Sequence, residues 1–209
     1  MSSSVPRKRV RKSPAARRAE IVEASSAVAL AEGLEGVTLR RIADELDVRP
    51  GLISHYFPSA EELVAEAFGD AASGELDALL PVDDPETTPR LRLARFFADA
   101  MGEAYDDISR LWINARHLSR YRPLLRDRVV VQEEAWRERL AAVIREGVEG
   151  GEFRTGDPYV TAIQILVVLD GLAAHANTET GERPAAVTRL AVRLAERELG
   201  LDPGALDRP

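Results

Sequence analysis

Apolar residues recur at three- and four-residue intervals along most of the chain, the spacing of one helix face, and no stretch alternates with period two for long enough to suggest a sheet. The pattern therefore predicts an all-α protein of about nine helices. Ser13-Pro14 reads as an N-cap followed by a proline at the first helical position, and Ile21, Ala24, Val28 and Ala31 carry a stripe to Gly33. Thr38 caps a second helix whose stripe is Leu39, Ile42, Ala43 and Leu46, with Arg40, Arg41, Asp44 and Glu45 outside. Asp47-Val48-Arg49 breaks the pattern. Pro50 then opens a third helix, in which Ile53 and Phe57 join Val48 against the second, while Arg49, Gly51, Leu52, Ser54, His55 and Tyr56 face elsewhere.

Two short helices joined by a tight turn fit the helix-turn-helix plan, whose second helix enters the DNA major groove; the alternative is a structural corner inside a helical bundle. Ser59 to Glu62 has capping-box spacing and starts a fourth helix that runs to about Leu80. Pro81-Val82-Asp83-Asp84-Pro85-Glu86 marks a boundary before a second helical unit. Thr88-Pro89 opens a helix with Leu93, Phe96, Phe97, Ala100 and Met101 on its apolar side, and the next spans about Ile108 to Ser119 with Leu111, Trp112, Ala115 and Leu118. A long helix from Pro123 to about Glu149 turns Val129, Trp136, Leu140, Val143, Ile144 and Val148 inward and ends at Gly150-Gly151. The segment begun by Asp157-Pro158 is apolar all round over Ala162 to Leu169, so it needs cover on most sides. A last helix, about Pro184 to Leu199, precedes a frayed end at Gly200 and Pro203. The expected organisation is a basic arm over 1–14, a helix-turn-helix unit over 15–58, a connecting helix over 59–80, a second domain over 86–200 and a tail over 201–209.

The 209 residues are 45% hydrophobic and 30% charged, enough for a proper core in a soluble chain. The sequence read alone gives no membrane span and no secretory signal, and the absence of cysteine fits the cytoplasm. A net charge of −7 hides a strong asymmetry. Arg7, Lys8, Arg9, Arg11, Lys12, Arg17 and Arg18 stand in the first 18 residues without an acid, while the excess of carboxylates lies beyond Ala60. Such an arm either neutralises phosphates beside a recognition helix or is merely solvated.

The stretch GVTLRRIADELDVRPGLISHYFPSAEELV, Gly36 to Val64, resembles the N-terminal signature of the TetR family of bacterial transcriptional regulators. ISHYF (Ile53–Phe57), Leu111-Trp112, GEFRTGDP (Gly151–Pro158) and LDGL (Leu169–Leu172) are similar to the subclass typified by the choline-responsive repressor of betaine synthesis. The resemblance implies a repressor that binds a palindromic double-stranded DNA operator as a homodimer and is released by a small-molecule effector. It implies DNA contacts at Thr38, Arg40, Arg49, Pro50, Gly51, Leu52, Ser54, His55 and Tyr56, to which the arm adds Lys8, Arg9, Arg11 and Lys12. Arg49 is the candidate for guanine, because a guanidinium donates to O6 and N7 together. Relatives usually carry lysine where this chain has Ala60, so one phosphate contact is missing. The last two helices are implied to form a four-helix bundle with their mates, through Ile165, Val168, Leu169, Leu172, Val187, Leu190 and Leu194.

A pocket among the middle helices is expected from Phe97, Met101, Tyr105, Trp112, Arg116, His117, Trp136 and Asp170, although the aromatic residues fit a plain core equally well. Asp170 and His175 point into that cavity, cap a helix, lie at the surface or hydrogen-bond across a dimer. Arg116 would repel a cation, which argues against choline itself. His55, His117 and His175 are too scattered for a metal site, and no cofactor is expected. No nucleophile elbow, P-loop, dinucleotide fingerprint or zinc motif supports the alternative of an all-helical enzyme. A DNA-binding protein regulated without any ligand remains the other alternative.

Overall fold

The computed structural model describes residues 12–82, 87–101, 106–177 and 184–207, with the backbone alone for residue 106. Ten α-helices and one 3-10 turn make up these residues, and there is no strand among them. The helices are α1 (Pro14–Glu32), α2 (Leu39–Glu45), α3 (Pro50–Tyr56), α4 (Ala60–Leu79), α5 (Pro89–Ala100), α6 (Asp106–Ser119), α7 (Pro123–Glu149), α8 (Pro158–Ala176), α9 (Ala185–Thr188) and α10 (Leu190–Glu198). The 3-10 turn is Leu34–Gly36. A side-chain oxygen accepts an orphan amide of the first turn at five of the starts: Ser13 from Ala16, Thr38 from Arg41, Ser59 from Glu62, Thr88 from Leu91, and Asp157 from Tyr159 and Val160.

The corner between α2 and α3 is closed by the backbone. Val48 N–H donates to Ala43 O at 2.9 Å and Asp47 N–H to Asp44 O at 3.3 Å, the paired bonds of a Schellman ending. Asp47 supplies the left-handed residue, with φ 50°, a conformation aspartate tolerates better than most side chains. Ile42, Ala43, Ile53 and Phe57 are buried at the corner, with Leu39, Leu46 and Val48 half-buried around them.

α4 packs against α1 on one side and α7 on the other, so one hydrophobic core continues from Ile21 in the head to Leu206 near the C-terminus. α7 is the axis of the larger unit, touching α4, α5, α6 and α8. It ends where the Phe153 ring folds back onto Gly147: a Cβ added at Gly147 would lie 2.1 Å from that ring. Gly147→Ala is therefore expected to cost about 1–3 kcal/mol through overpacking, read as a lower denaturant midpoint at unchanged slope.

Two expectations need correction. The last helix is interrupted at Arg189 into α9 and α10 rather than continuous from Pro184 to Leu199. The C-terminus is not frayed after Gly200: Leu206 is buried, and the buried Glu196 carboxylate accepts Gly204 N–H at 2.9 Å and Leu206 N–H at 3.1 Å. A buried carboxylate needs such donors, and the tail's backbone provides them.

Candidate functional site

The head presents α3 outward. Arg49, Pro50, Gly51, Ser54 and His55 are exposed, Leu52 and Tyr56 are half-buried, and Thr38 and Arg40 are exposed at the start of α2. Among the described residues no carboxylate lies within ion-pair distance of Arg40 or Arg49. Arg41 differs: it bridges Glu32 at 2.7 Å and Glu45 at 2.6 Å, and the hydrogen bonds it donates to Glu32 and then Glu45 raise its pKa further above the usual guanidinium range. Arg41 therefore ties α2 to α1, leaving its neighbour Arg40 to face solvent. His55 stacks edge-on against Tyr56, with ring centres 5.2 Å apart.

The larger unit contains a cavity of about 90 Å³ between α5, α6, α7 and α8, several times the roughly 10–15 Å³ that one water requires. Its apolar wall includes Phe96, Trp112, Trp136, Ile163, Leu166 and Val167. Its polar wall is an ion-pair chain. Arg116 donates from Nη2 to Asp170 Oδ2 at 2.8 Å and from Nε to Glu133 Oε1 at 3.1 Å, and its guanidinium carbon lies 5.1 Å from the centre of the Trp112 ring. Arg137 continues the chain to Glu133 at 3.1 Å and Glu134 at 3.2 Å. Burial raises the Asp170 pKa above its ordinary value, partly offset by Arg116; for Arg116 burial acts downward, and Asp170 and Glu133 more than reverse it.

α6 joins this cavity to the head. Trp112 and Arg116 stand on its cavity side, while Asn114 between them accepts Leu34 N–H at 2.9 Å and donates to Glu35 Oε2 at 2.9 Å, both in the 3-10 turn just before α2. Trp112 is itself fixed by an indole N–H donated to Glu75 of α4 at 2.7 Å. Among the described residues no group of three His, Asp or Glu is placed to hold a metal ion.

Two family models match. Residues 89–200, more than half of the chain, match the BetI-type transcriptional repressor C-terminal domain, and residues 21–67 match the bacterial regulatory proteins of the tetR family. The chain belongs to the TetR family of bacterial transcriptional regulators. It is similar to the HTH-type transcriptional repressor KstR2 of Mycolicibacterium smegmatis, 26% identical over 144 residues that cover 68% of this chain and 69% of the relative. Among solved structures, a TetR transcription regulator from Haloarcula marismortui aligns with TM-score 0.71 at 21% identity, over 89% of this chain and 97% of its own. A transcriptional regulator from Saccharomonospora viridis, solved in complex with choline, aligns with TM-score 0.65 at 25% identity, over 87% and 95%. This protein is thus a helix-turn-helix transcriptional regulator that binds DNA, in a family of regulators that dimerise.

Within this TetR-family regulator, several residues expected at sites stand elsewhere. Trp112, Arg116, Trp136 and Asp170 meet in the cavity, but Phe97 is buried in the core and Phe96 takes the lining position beside it. Met101 is 43% exposed in the turn after α5, and His117 is exposed beside Tyr121. Tyr105, Lys8, Arg9 and Arg11 lie outside the described residues. Lys12 pairs with Glu20 at 2.8 Å at the start of α1. Glu133 and Arg137 are not evident from sequence because charged residues on a long helix look like its solvent face. Their i, i+4 spacing on the same helix as Trp136 is the one available signal.

The α8 face also needs correction. Ile165 and Leu169 are buried inside this chain, and Val168 and Leu172 are half-buried, whereas the exposed line is Val160, Gln164, Val167, Gly171 and Ala174, each three or four residues from the last. A helix apolar all round carries no register signal, so the outward stripe is not legible in the sequence. Val187 and Leu190 are exposed beside it and Leu194 is half-buried. By length and composition α8 could cross a membrane. It instead packs on α6, α7 and α10, with Asp170 paired to Arg116.

Proposed function

We propose that this regulator is a repressor that works as a homodimer in the cytoplasm, holds a palindromic operator, and releases it when a small molecule enters the cavity between α5, α6, α7 and α8. The observation that carries the reading is the position of Asn114. It sits on the helix that lines the cavity and holds the turn that begins the DNA-reading corner. A ligand that shifts α6 disturbs the head through those two hydrogen bonds, provided it binds the two conformations with different affinity. The mates meet through the open stripe of α8 with α9 and α10, which is the cover that an apolar helix requires. Two copies of α3 then enter successive major grooves, roughly 34–36 Å apart. Like other TetR-family regulators, the protein acts by binding rather than by catalysis.

In this reading Arg49 reads a guanine while Thr38, Tyr56 and the basic arm hold phosphates. Arg49→Ala is expected to cost about 1–3 kcal/mol and to relax preference at one base pair of each half-site. Deleting Arg7 to Lys12 is expected to weaken every duplex alike and to flatten the logarithmic salt dependence by about 0.9 for each phosphate the arm no longer neutralises. Fluorescence anisotropy on DNA from beside the protein's own gene and on random duplex checks both. Equal losses on the two duplexes for Arg49→Ala would remove Arg49 from the reading residues.

A further inference from the structure

The choline bound by the Saccharomonospora viridis relative raises the question of what this cavity accepts. A cation site buried in a protein needs an aromatic face and carboxylates to replace water. This cavity has both, in the Trp112 ring and the carboxylates of Glu133 and Asp170, and a cation already stands there: the guanidinium of Arg116, in contact with all three. We infer that Arg116 fills from within the chain the place a cationic ligand would take, so that the cavity selects a small uncharged molecule with an apolar body over a quaternary ammonium.

The balance of charge supports this on both sides. Four charged side chains line the cavity, Arg116 and Arg137 against Glu133 and Asp170, and each is already paired. Glu134 and Tyr159 belong to the same chain of contacts but lie outside the lining, with the Tyr159 hydroxyl 3.0 Å from the Glu134 carboxylate. An incoming cation would have to evict Arg116 from its two carboxylates and leave a guanidinium without partners in a half-buried site. An incoming anion would meet Glu133 and Asp170 around a guanidinium they already occupy. An uncharged ligand disturbs none of these pairs and gains the contact offered by Phe96, Ile163, Leu166 and Val167. Arg116 is thereby a specificity-determining residue rather than only a structural link between α6, α7 and α8.

This rests on the reading of the cavity as the effector site, and the two can fail separately. The test uses choline and its carbon isostere 3,3-dimethylbutan-1-ol, which share shape and hydroxyl and differ by one charge. Binding to the full chain is followed by calorimetry and by tryptophan fluorescence, since the chain's two tryptophans, Trp112 and Trp136, both line the cavity. The wild type is expected to bind the isostere roughly tenfold or more tighter than choline. Arg116→Met, which keeps an aliphatic chain but vacates the carboxylates and the ring, is expected to gain choline affinity by a similar factor and to reverse the order. Arg116→Lys, still cationic, is expected to keep the wild-type order. Should Arg116→Met fail to fold by circular dichroism, Arg116→Gln, which retains a donor for Asp170, carries the same prediction. Choline binding to the wild type as tightly as the isostere, no gain of choline in a folded uncharged variant, or no binding of either probe to any of the proteins at millimolar concentration would each overturn the inference. The expected order without any loosening of operator DNA by the isostere would leave the selectivity standing and end the effector reading.

Discussion

Val167→Glu is expected to leave the protein monomeric and to lower operator affinity by roughly 10²–10⁴-fold, the factor gained when a second binding event becomes intramolecular. Val167 is 63% exposed in the single chain and sits mid-way along the stripe from Val160 to Ala174. In an isologous contact between two copies of this stripe, the same patch serves both mates, so one substitution places two carboxylates in one interface. Burying two like charges against each other in an apolar contact is costly. Each head is expected to remain folded, because α8 packs on α6, α7 and α10, but a single head makes only half of the DNA contacts. Val167 also borders the cavity, so Val160→Glu, which does not, serves as the control and is expected to weaken the dimer in the same direction. Sedimentation velocity and anisotropy on one duplex read the two effects together. A Val167→Glu protein that stays dimeric with undiminished affinity would move the interface elsewhere.

Phe57→Ala is expected to cost about 3–5 kcal/mol, the range for emptying a fully buried aromatic site. Phe57 ends α3, is wholly buried, and has the Arg18 guanidinium carbon of α1 lying 4.8 Å from its ring centre. It fixes the angle at which the reading helix leaves the body of the head. Its removal therefore lowers stability and also frees α3 to shift from its docking geometry. The thermal midpoint is expected to fall by roughly 2–4 °C for each kcal/mol, with hydrogen exchange speeding up first in α2 and α3. Operator binding should fail at temperatures where α7 and α8 remain protected. A loss of under about 1 kcal/mol would mean that the site collapses around the smaller side chain and that the corner is held by other contacts.

These two residues also mark where the sequence is easy and hard to read. Phe57 follows from a stripe of period 3.6 between an N-cap and a proline, local signals that act within a few residues, and helix starts from Ser13 to Asp157 are legible in the same way. Val167 does not follow from local pattern. In α8 nearly every residue is apolar, so which side turns outward is decided by what α6, α7 and α10 cover, and that is tertiary information. The cavity is half legible for a similar reason. Trp112, Arg116, Trp136 and Asp170 draw attention as large or charged residues in apolar surroundings, but Glu133 and Arg137 are hidden among the many charges of α7. The choice of Phe97 over Phe96 turns on one residue of helical phase, about 100° of rotation. The folded tail is beyond reach, because the donors that Glu196 needs come from residues expected to be loose.

Whether this chain reads a specific two-fold DNA sequence is decided by footprinting the whole 209-residue chain on DNA from beside its own gene, with affinity measured on that DNA and on random duplex at one salt concentration. One protected inverted repeat occupied by two chains is expected, bound at least roughly 10³-fold tighter than random duplex. Protection without symmetry, or equal affinity for both duplexes, would contradict it.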